Sequence, residues 1–211
     1  MSEIKKVAVI GGGTMGNGIC HIFAMNGYDV NLVETKKEFA ERAMNTIDKN
    51  LTRMVNKEKI SEVDKTATLE RIQTHLDIAD GVKDVDLVVE AVTEVFDLKK
   101  KIFTEIDKNA PDHAILASNT SSISITKLAA VTKRPEKFIG MHFFNPVPVM
   151  TLVEVVRGQR TSDATFETVA GVAEDLEKNP VEVEDYPGFV SNRILMPMIN
   201  EAVFCVMEGV A

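Results

Sequence analysis

The stretch that most constrains this chain is its first 34 residues, where an apolar run breaks at three glycines and restarts as a helix. Val7-Ala8-Val9-Ile10 is wholly apolar and mostly β-branched, the composition of a strand covered on both faces. Gly11-Gly12-Gly13 interrupts it, and a helical pattern follows through Ile19, Ile22 and Phe23 to Gly27. Asp29-Val30-Asn31-Leu32-Val33-Glu34 then reads as a second strand, which completes a βαβ unit. Gly11-x-Gly13-x-x-Gly16 therefore lies between a strand and a helix, the context in which this spacing describes a dinucleotide site. Gly11 permits the tight turn, Gly13 lets the backbone approach a pyrophosphate, and Gly16 lets the helix pack close to the sheet. The N–H groups around Thr14 and Met15 would face the phosphates, helped by the helix dipole. A glycine-rich turn without a ligand is the plain alternative. Glu34, at the end of the second strand, suits both ribose hydroxyls and repels a 2′-phosphate, so NAD is favoured over NADP. Lys36 and Lys37 soften that preference, and a solvated strand end is the alternative reading of Glu34.

Beyond this unit, a helix is expected from about 38 to 57 with Met44, Ile47, Leu51 and Met54 on one face. A second follows from a Ser61–Asp64 cap to about Ile72. Alternation then resumes, with strands expected at 74–78, 86–91, 114–118, 137–142, 151–156 and 181–184. Helices are expected at 94–108, 124–131 and 163–178. Such alternation gives the fold class: an α/β, Rossmann-type, doubly wound and mostly parallel sheet with an inserted helix pair at about 38–73. The nucleotide domain is expected to span 1–185, with a boundary at Tyr186-Pro187-Gly188. Residues 189–211 read as the first helix, kinked at Pro197, of a helical domain that is cut short. Being apolar on several faces, that helix must pack on something, and a homo-oligomer formed through it is expected.

The formal charge is −8, with no basic tail, which argues against general binding to nucleic acid or anionic membranes. No run has membrane-spanning length, and Met1-Ser2-Glu3-Ile4 leads straight towards the first strand, so no leader is expected. Cys20 and Cys205 lie far apart in helical patterns; free buried thiols in a reducing cytoplasm are expected, and no metal site.

The reaction chemistry concentrates further along. Phe138-Ile139-Gly140-Met141-His142-Phe143-Phe144-Asn145-Pro146 puts a histidine at a strand's carboxyl end, the edge where ligands bind in such sheets. Glu154 interrupts the apolar strand Thr151-Leu152-Val153-Glu154-Val155-Val156, and a carboxylate buried there needs a partner. His142 is one candidate, since a short connection with Pro146 and Pro148 joins the two strands; Arg157 or solvent on an edge strand is the other. A carboxylate that fixes one imidazole nitrogen leaves the other free as a base. Ser118-Asn119-Thr120-Ser121-Ser122 follows another strand and either caps the next helix or offers hydroxyls to a substrate.

Taken together, Gly-Gly-Gly-Thr-Met-Gly at 11–16, Ser-Asn-Thr-Ser-Ser at 118–122, His-Phe-Phe-Asn-Pro at 142–146 and Pro-Gly-Phe-Val-x-Asn-Arg at 187–193 resemble the 3-hydroxyacyl-CoA dehydrogenases, most of all the bacterial 3-hydroxybutyryl-CoA group. The resemblance implies an NAD-dependent oxidoreductase of acyl-CoA substrates. It implies His142 as catalytic base and Glu154 as its orienting partner. Ser121 and Asn192 would lie near the substrate's carbon-3 oxygen, and Glu94, Lys99 and Asn145 around the cofactor. Lys49, Arg53 and Lys57 recur every four residues opposite the apolar stripe. By spacing they are a solvated face; the resemblance makes Arg53 and Lys57 ligands of the CoA tail. Two other readings stay open: a dehydrogenase of hydroxy acids without CoA, and an NAD-binding protein without turnover.

Overall fold

A computed structural model describes residues 4–211; the expectation of no leader at Met1-Ser2-Glu3 lies outside the described residues. The chain begins with β1 (Lys6–Ile10), α1 (Thr14–Met25) and β2 (Asp29–Val33). The inserted pair is α2 (Lys37–Asn56) and α3 (Glu62–Glu70), followed by β3 (Ile72–His75), α4 (Ile78–Val82) and β4 (Leu87–Glu90). Then come α5 (Phe96–Asn109), β5 (Ile115–Ser118), α6 (Ile125–Ala129) and β6 (Phe138–Phe143). The chain continues with β7 (Leu152–Arg157), α7 (Asp163–Asp175), β8 (Asn179–Glu184) and α8 (Ser191–Met207).

The eight strands form one sheet in the order β3-β2-β1-β4-β5-β6-β7-β8. The first six in that order are mutually parallel, while β7 pairs antiparallel with β6 and β8 follows β7. The β1 strand shows why the sheet is covered on both sides: Val7 and Val9 point into one apolar cluster, Ala8 and Ile10 into the other. Side chains alternate faces along a strand, so an unbroken apolar run requires two cores. Each valine or isoleucine side chain buried there stabilises the fold by about 1.5–3 kcal/mol. The strand order reverses beside β1, between it and β4, and in open α/β sheets such a switch point opens a crevice at the carboxyl ends.

Several local expectations shift. The strand expected at 74–78 lies at Ile72–His75, because Asp77 accepts from the Asp80 N–H at 3.2 Å and caps the short helix α4. The Ser61–Asp64 capping box forms as expected. On α2 the buried face is Ala40, Ala43, Ile47 and Leu51, while Met44 is half-buried at its margin. Small alanines let α2 approach closely; flexible methionines fill the edges. Phe189 is not helical: it is buried with a left-handed φ of 48° just before α8. The helix runs unbroken through Pro197, and none of its residues is buried. Both cysteines are free, but only Cys20 is buried; Cys205 is partly exposed.

Candidate active site

The glycine turn is dictated by space. Gly11 has a φ of 94°, and a Cβ there would stand 3.1 Å from the Ala91 carbonyl oxygen. A Cβ on Gly16 would lie 1.7 Å from the Gly11 oxygen, whereas around Gly13 nothing lies within 4 Å. Thus two glycines are forced by the fold, and the third leaves open space in front of the α1 N-terminus. The N–H groups of Thr14 and Met15 sit in the first turn of α1, where no intrahelical partner exists. Glu34 accepts from the Gly12 N–H at 2.6 Å and from the Thr35 N–H at 3.0 Å. A carboxylate has about four acceptor positions, so capacity for two ribose hydroxyls remains. A cavity of about 430 Å³ opens here between Gly12, Gly13, Thr14, Asn145 and Pro146. These features fit a dinucleotide with its pyrophosphate on the helix and its ribose at Glu34.

The second half of the site is built by strand pairing. The antiparallel register sets His142 directly opposite Glu154, where facing side chains are within reach. His142 Nδ1 lies 2.7 Å from Glu154 Oε2, and both residues are buried, at 5% and 1% exposure. The other ring nitrogen, Nε2, lies 3.1 Å from Ser121 Oγ. Arg157, the competing partner of Glu154, instead binds Asp163 at 2.5 Å and Glu182 at 3.0 Å. Glu154 Oε1 accepts three further bonds, from the Ser191 N–H at 2.8 Å, the Ser191 hydroxyl at 3.0 Å and the Val190 N–H at 3.1 Å. Burial works to raise the Glu154 pKa, but the bonds from His142 and Ser191 outweigh it and hold the carboxyl below its ordinary value.

Ser121 is positioned by Glu94. One oxygen of Glu94 accepts from the Thr120 hydroxyl, the Ser121 N–H at 2.9 Å, and the Ser122 N–H and hydroxyl at 3.1 and 3.0 Å. Its other oxygen lies 3.3 Å from Lys99 Nζ. Burial raises the Glu94 pKa, and the Thr120 bond and the Lys99 charge more than reverse this. Lys99 itself is buried, bonded to Glu90 at 2.5 Å and to the Val92 carbonyl at 3.3 Å. It therefore fixes the β4–α5 loop from beneath. Asn192 Nδ2 reaches the Ser121 carbonyl at 3.4 Å, which brings the start of α8 to the same spot. Asn145 is exposed at the mouth of the glycine cavity. Arg53 and Lys57 lie exposed at the end of α2, outside this cluster.

Sequence reasoning missed four contributors. The Phe144 and Phe189 rings flank His142 at 4.7 and 5.8 Å between centroids. Glu90, fully buried, takes bonds from Lys99, the Val92 N–H and Ser118. Asn119 accepts from the Phe143 N–H at 2.9 Å, tying the serine loop to β6. For Glu90 a signal was present, a carboxylate within an otherwise apolar strand, last in β4 where Glu154 lies inside β7.

A doubly wound sheet with this glycine turn at its switch point defines a Rossmann-type dinucleotide-binding domain. The family model described as "3-hydroxyacyl-CoA dehydrogenase, NAD binding domain" matches residues 6–186. The chain is 48% identical over 206 residues to a 3-hydroxybutyryl-CoA dehydrogenase of Clostridioides difficile, covering 98% of this chain and 73% of that protein. To a 3-hydroxybutyryl-CoA dehydrogenase of Bradyrhizobium diazoefficiens it is 50% identical over 207 residues, covering 98% and 70%. The crystal structure of (S)-3-hydroxybutyryl-CoA dehydrogenase from Ralstonia eutropha superposes with a TM-score of 0.96 at 49% identity, covering 99% of this chain and 74% of that one. The chain belongs to the 3-hydroxyacyl-CoA dehydrogenase family, as an oxidoreductase that uses NAD. No helix among the described residues is long and apolar enough to cross a membrane.

Proposed function

We propose that the protein transfers hydride between NAD(H) and the 3-hydroxy or 3-keto group of a short-chain acyl-CoA, 3-hydroxybutyryl-CoA or acetoacetyl-CoA, with His142 as general acid/base oriented by Glu154. The observation that carries this is the buried 2.7 Å contact from His142 Nδ1 to Glu154, with Nε2 turned to Ser121. NAD, when bound, supplies the hydride acceptor, and NADH the donor. His142 Nε2 takes the proton from the carbon-3 hydroxyl, and in the reverse direction returns it to the oxygen. The Glu154 charge stabilises the imidazolium that forms and holds the neutral ring with its proton on Nδ1. Ser121 and Asn192 hold the same oxygen and carry part of its charge. The Phe144 and Phe189 rings keep water from the imidazole.

On the cofactor side, Gly13, Thr14 and Met15 would cradle the pyrophosphate on the turn that Gly11 and Gly16 make possible, Glu34 would take the ribose, and Asn145 would close the cavity. Glu94 and Lys99 act by fixing the serine loop and the β4–α5 loop, which would hold the cofactor's reactive end. Arg53 and Lys57 grip the CoA phosphates, a role their exposure on α2 permits. We read the nucleotide domain as ending at 185 and α8 as the opening of a helical unit that self-associates, supported by its exposed apolar residues, among them Ile194, Met198, Val203 and Phe204. A cytoplasmic location accords with two free thiols. A second reading, NAD binding without turnover, draws on the same exposure: Asn192 rides on a helix with no buried residue.

Mixing the protein with NADH and acetoacetyl-CoA and following NADH oxidation tests this. Wild-type turnover should fall by roughly 10²–10⁴-fold in His142→Gln, with NADH binding retained. Undiminished turnover in that variant would overturn the proposal, and tight NADH binding with no wild-type turnover would favour the second reading.

A further inference from the structure

Glu154 faces two ways. Oε2 meets the imidazole, while Oε1 points at the first turn of α8 and accepts three bonds there. Two of those donors are backbone N–H groups, available at a helix start whatever the side chains are. The third, the Ser191 hydroxyl at 3.0 Å, exists only because residue 191 carries a side-chain hydroxyl. We infer that Ser191 is a positioning residue for the His142–Glu154 pair, its hydroxyl locking the carboxylate oxygen that faces away from the imidazole. The inference rests on the reading of His142 as the base.

The physical case is one of burial. Glu154 is 1% exposed, so a donor removed from it is not replaced by bulk water, and hydrogen bonds to charged groups are the strong ones. With Oε1 saturated, the carboxylate cannot rotate without losing three bonds. Oε2 therefore stays on Nδ1, and Nε2 stays directed at Ser121. The same hydroxyl ties α8 to the sheet one residue before Asn192, so it also helps set where that amide stands.

The surroundings leave few competing influences on this carboxylate. From β6 it meets His142, and from β8 its register partner is Val181. The arginine of α8's first turn, Arg193, lies over the Tyr186 ring instead. Arg157 on β7 itself is held by Asp163 of α7 and Glu182 of β8, and Lys127 of α6 is exposed. Burial raises the carboxyl's pKa, and the opposing influences are His142 and Ser191, the latter through both its N–H and its hydroxyl.

The test uses the full chain. A 13C NMR titration follows the Glu154 side-chain carboxyl, assigned by its loss in Glu154→Gln. Ser191→Ala should raise the midpoint by roughly one pH unit, and Ser191→Thr, which restores a hydroxyl, should return it most of the way. In the NADH and acetoacetyl-CoA assay, Ser191→Ala should lower kcat about fivefold with KM little changed. An unchanged midpoint overturns the inference, as does a shift that Ser191→Thr leaves unrepaired. A shifted midpoint with unaltered kcat overturns the role in the reaction. The His142→Gln control separates the two ideas: if it keeps full turnover, the base assignment fails, while the carboxyl titration still decides on Ser191.

Discussion

The two halves of the site are built on opposite principles. Around β1 and α1 the functional surface is backbone: Gly11 and Gly16 are forced by contacts of 3.1 and 1.7 Å that a side chain would make, and β4 is buried along its length, as is β1 from Val7 onward. Around β6, β7 and α8 it is a chain of side-chain hydrogen bonds, running from Ser121 through His142 and Glu154 to Ser191. That chain ends on a helix with no buried residue. The nucleotide half is therefore rigid by construction, whereas the chemical half is only as fixed as its weakest bond. Damage to the first should abolish the fold or cofactor binding together; damage to the second should alter chemistry and leave binding intact.

The sharpest way to break that contrast is Gly16→Val. Its side chain collides with the Gly11 backbone, so we expect loss of NADH binding together with several kcal/mol of stability, in line with severe overpacking. Calorimetry with NADH and a urea titration check both; a stable variant that binds NADH would refute the steric account. Next in size is Glu154→Ala, which should lower turnover by at least tenfold while NADH affinity stays near wild type. Equal losses in both would erase the distinction between the halves.

The rigid side also carries a buried titratable group. His21, on α1, is 1% exposed with neither ring nitrogen hydrogen-bonded, and burial together with the nearby Lys178 charge lowers its pKa to about 4. The unfolded chain takes up this proton first, near 6.5, so protons favour the unfolded state between those values. Stability should thus decline as pH falls from about 6.5 to 4. His21→Leu should flatten that limb of a urea-midpoint curve, and a curve unchanged by the substitution would contradict it. The smallest effect is expected at Asp185, whose carboxylate accepts from Ser124 Oγ at 2.7 Å and from the Ile125 and Thr126 N–H groups at 3.0 and 2.8 Å. Asp185→Ala should cost about 1 kcal/mol, the usual worth of a cap, read as a lower urea midpoint; no change would mean that this carboxylate does not hold the start of α6.

Much of this was legible in the sequence because it was local. The βαβ unit, the Ser61 capping box and the glycine spacing are written in residues a few positions apart, and the alternation of elements was enough for the doubly wound sheet. The His142–Glu154 contact was legible only as one of two choices, since composition does not reveal an antiparallel register. What stayed hidden depends on distant partners. Lys99 looks like a helix-surface lysine until Glu90 is folded beneath it. Phe189 continues an apolar helical pattern, yet packing against His142 and the positive φ of the Gly188–Phe189 turn take it out of the helix. The α4 helix is too short, at five residues, to leave a periodic trace, which is why β3 was displaced.

The most direct test of the central claim is the protonation of one ring. In 15N NMR of the wild-type chain at alkaline pH, with His142 assigned by its loss in His142→Gln, the proton should reside on Nδ1 against Glu154, with Nε2 bare. A neutral ring that carries its proton on Nε2 would leave no base facing Ser121, and the proposed chemistry would fail with it.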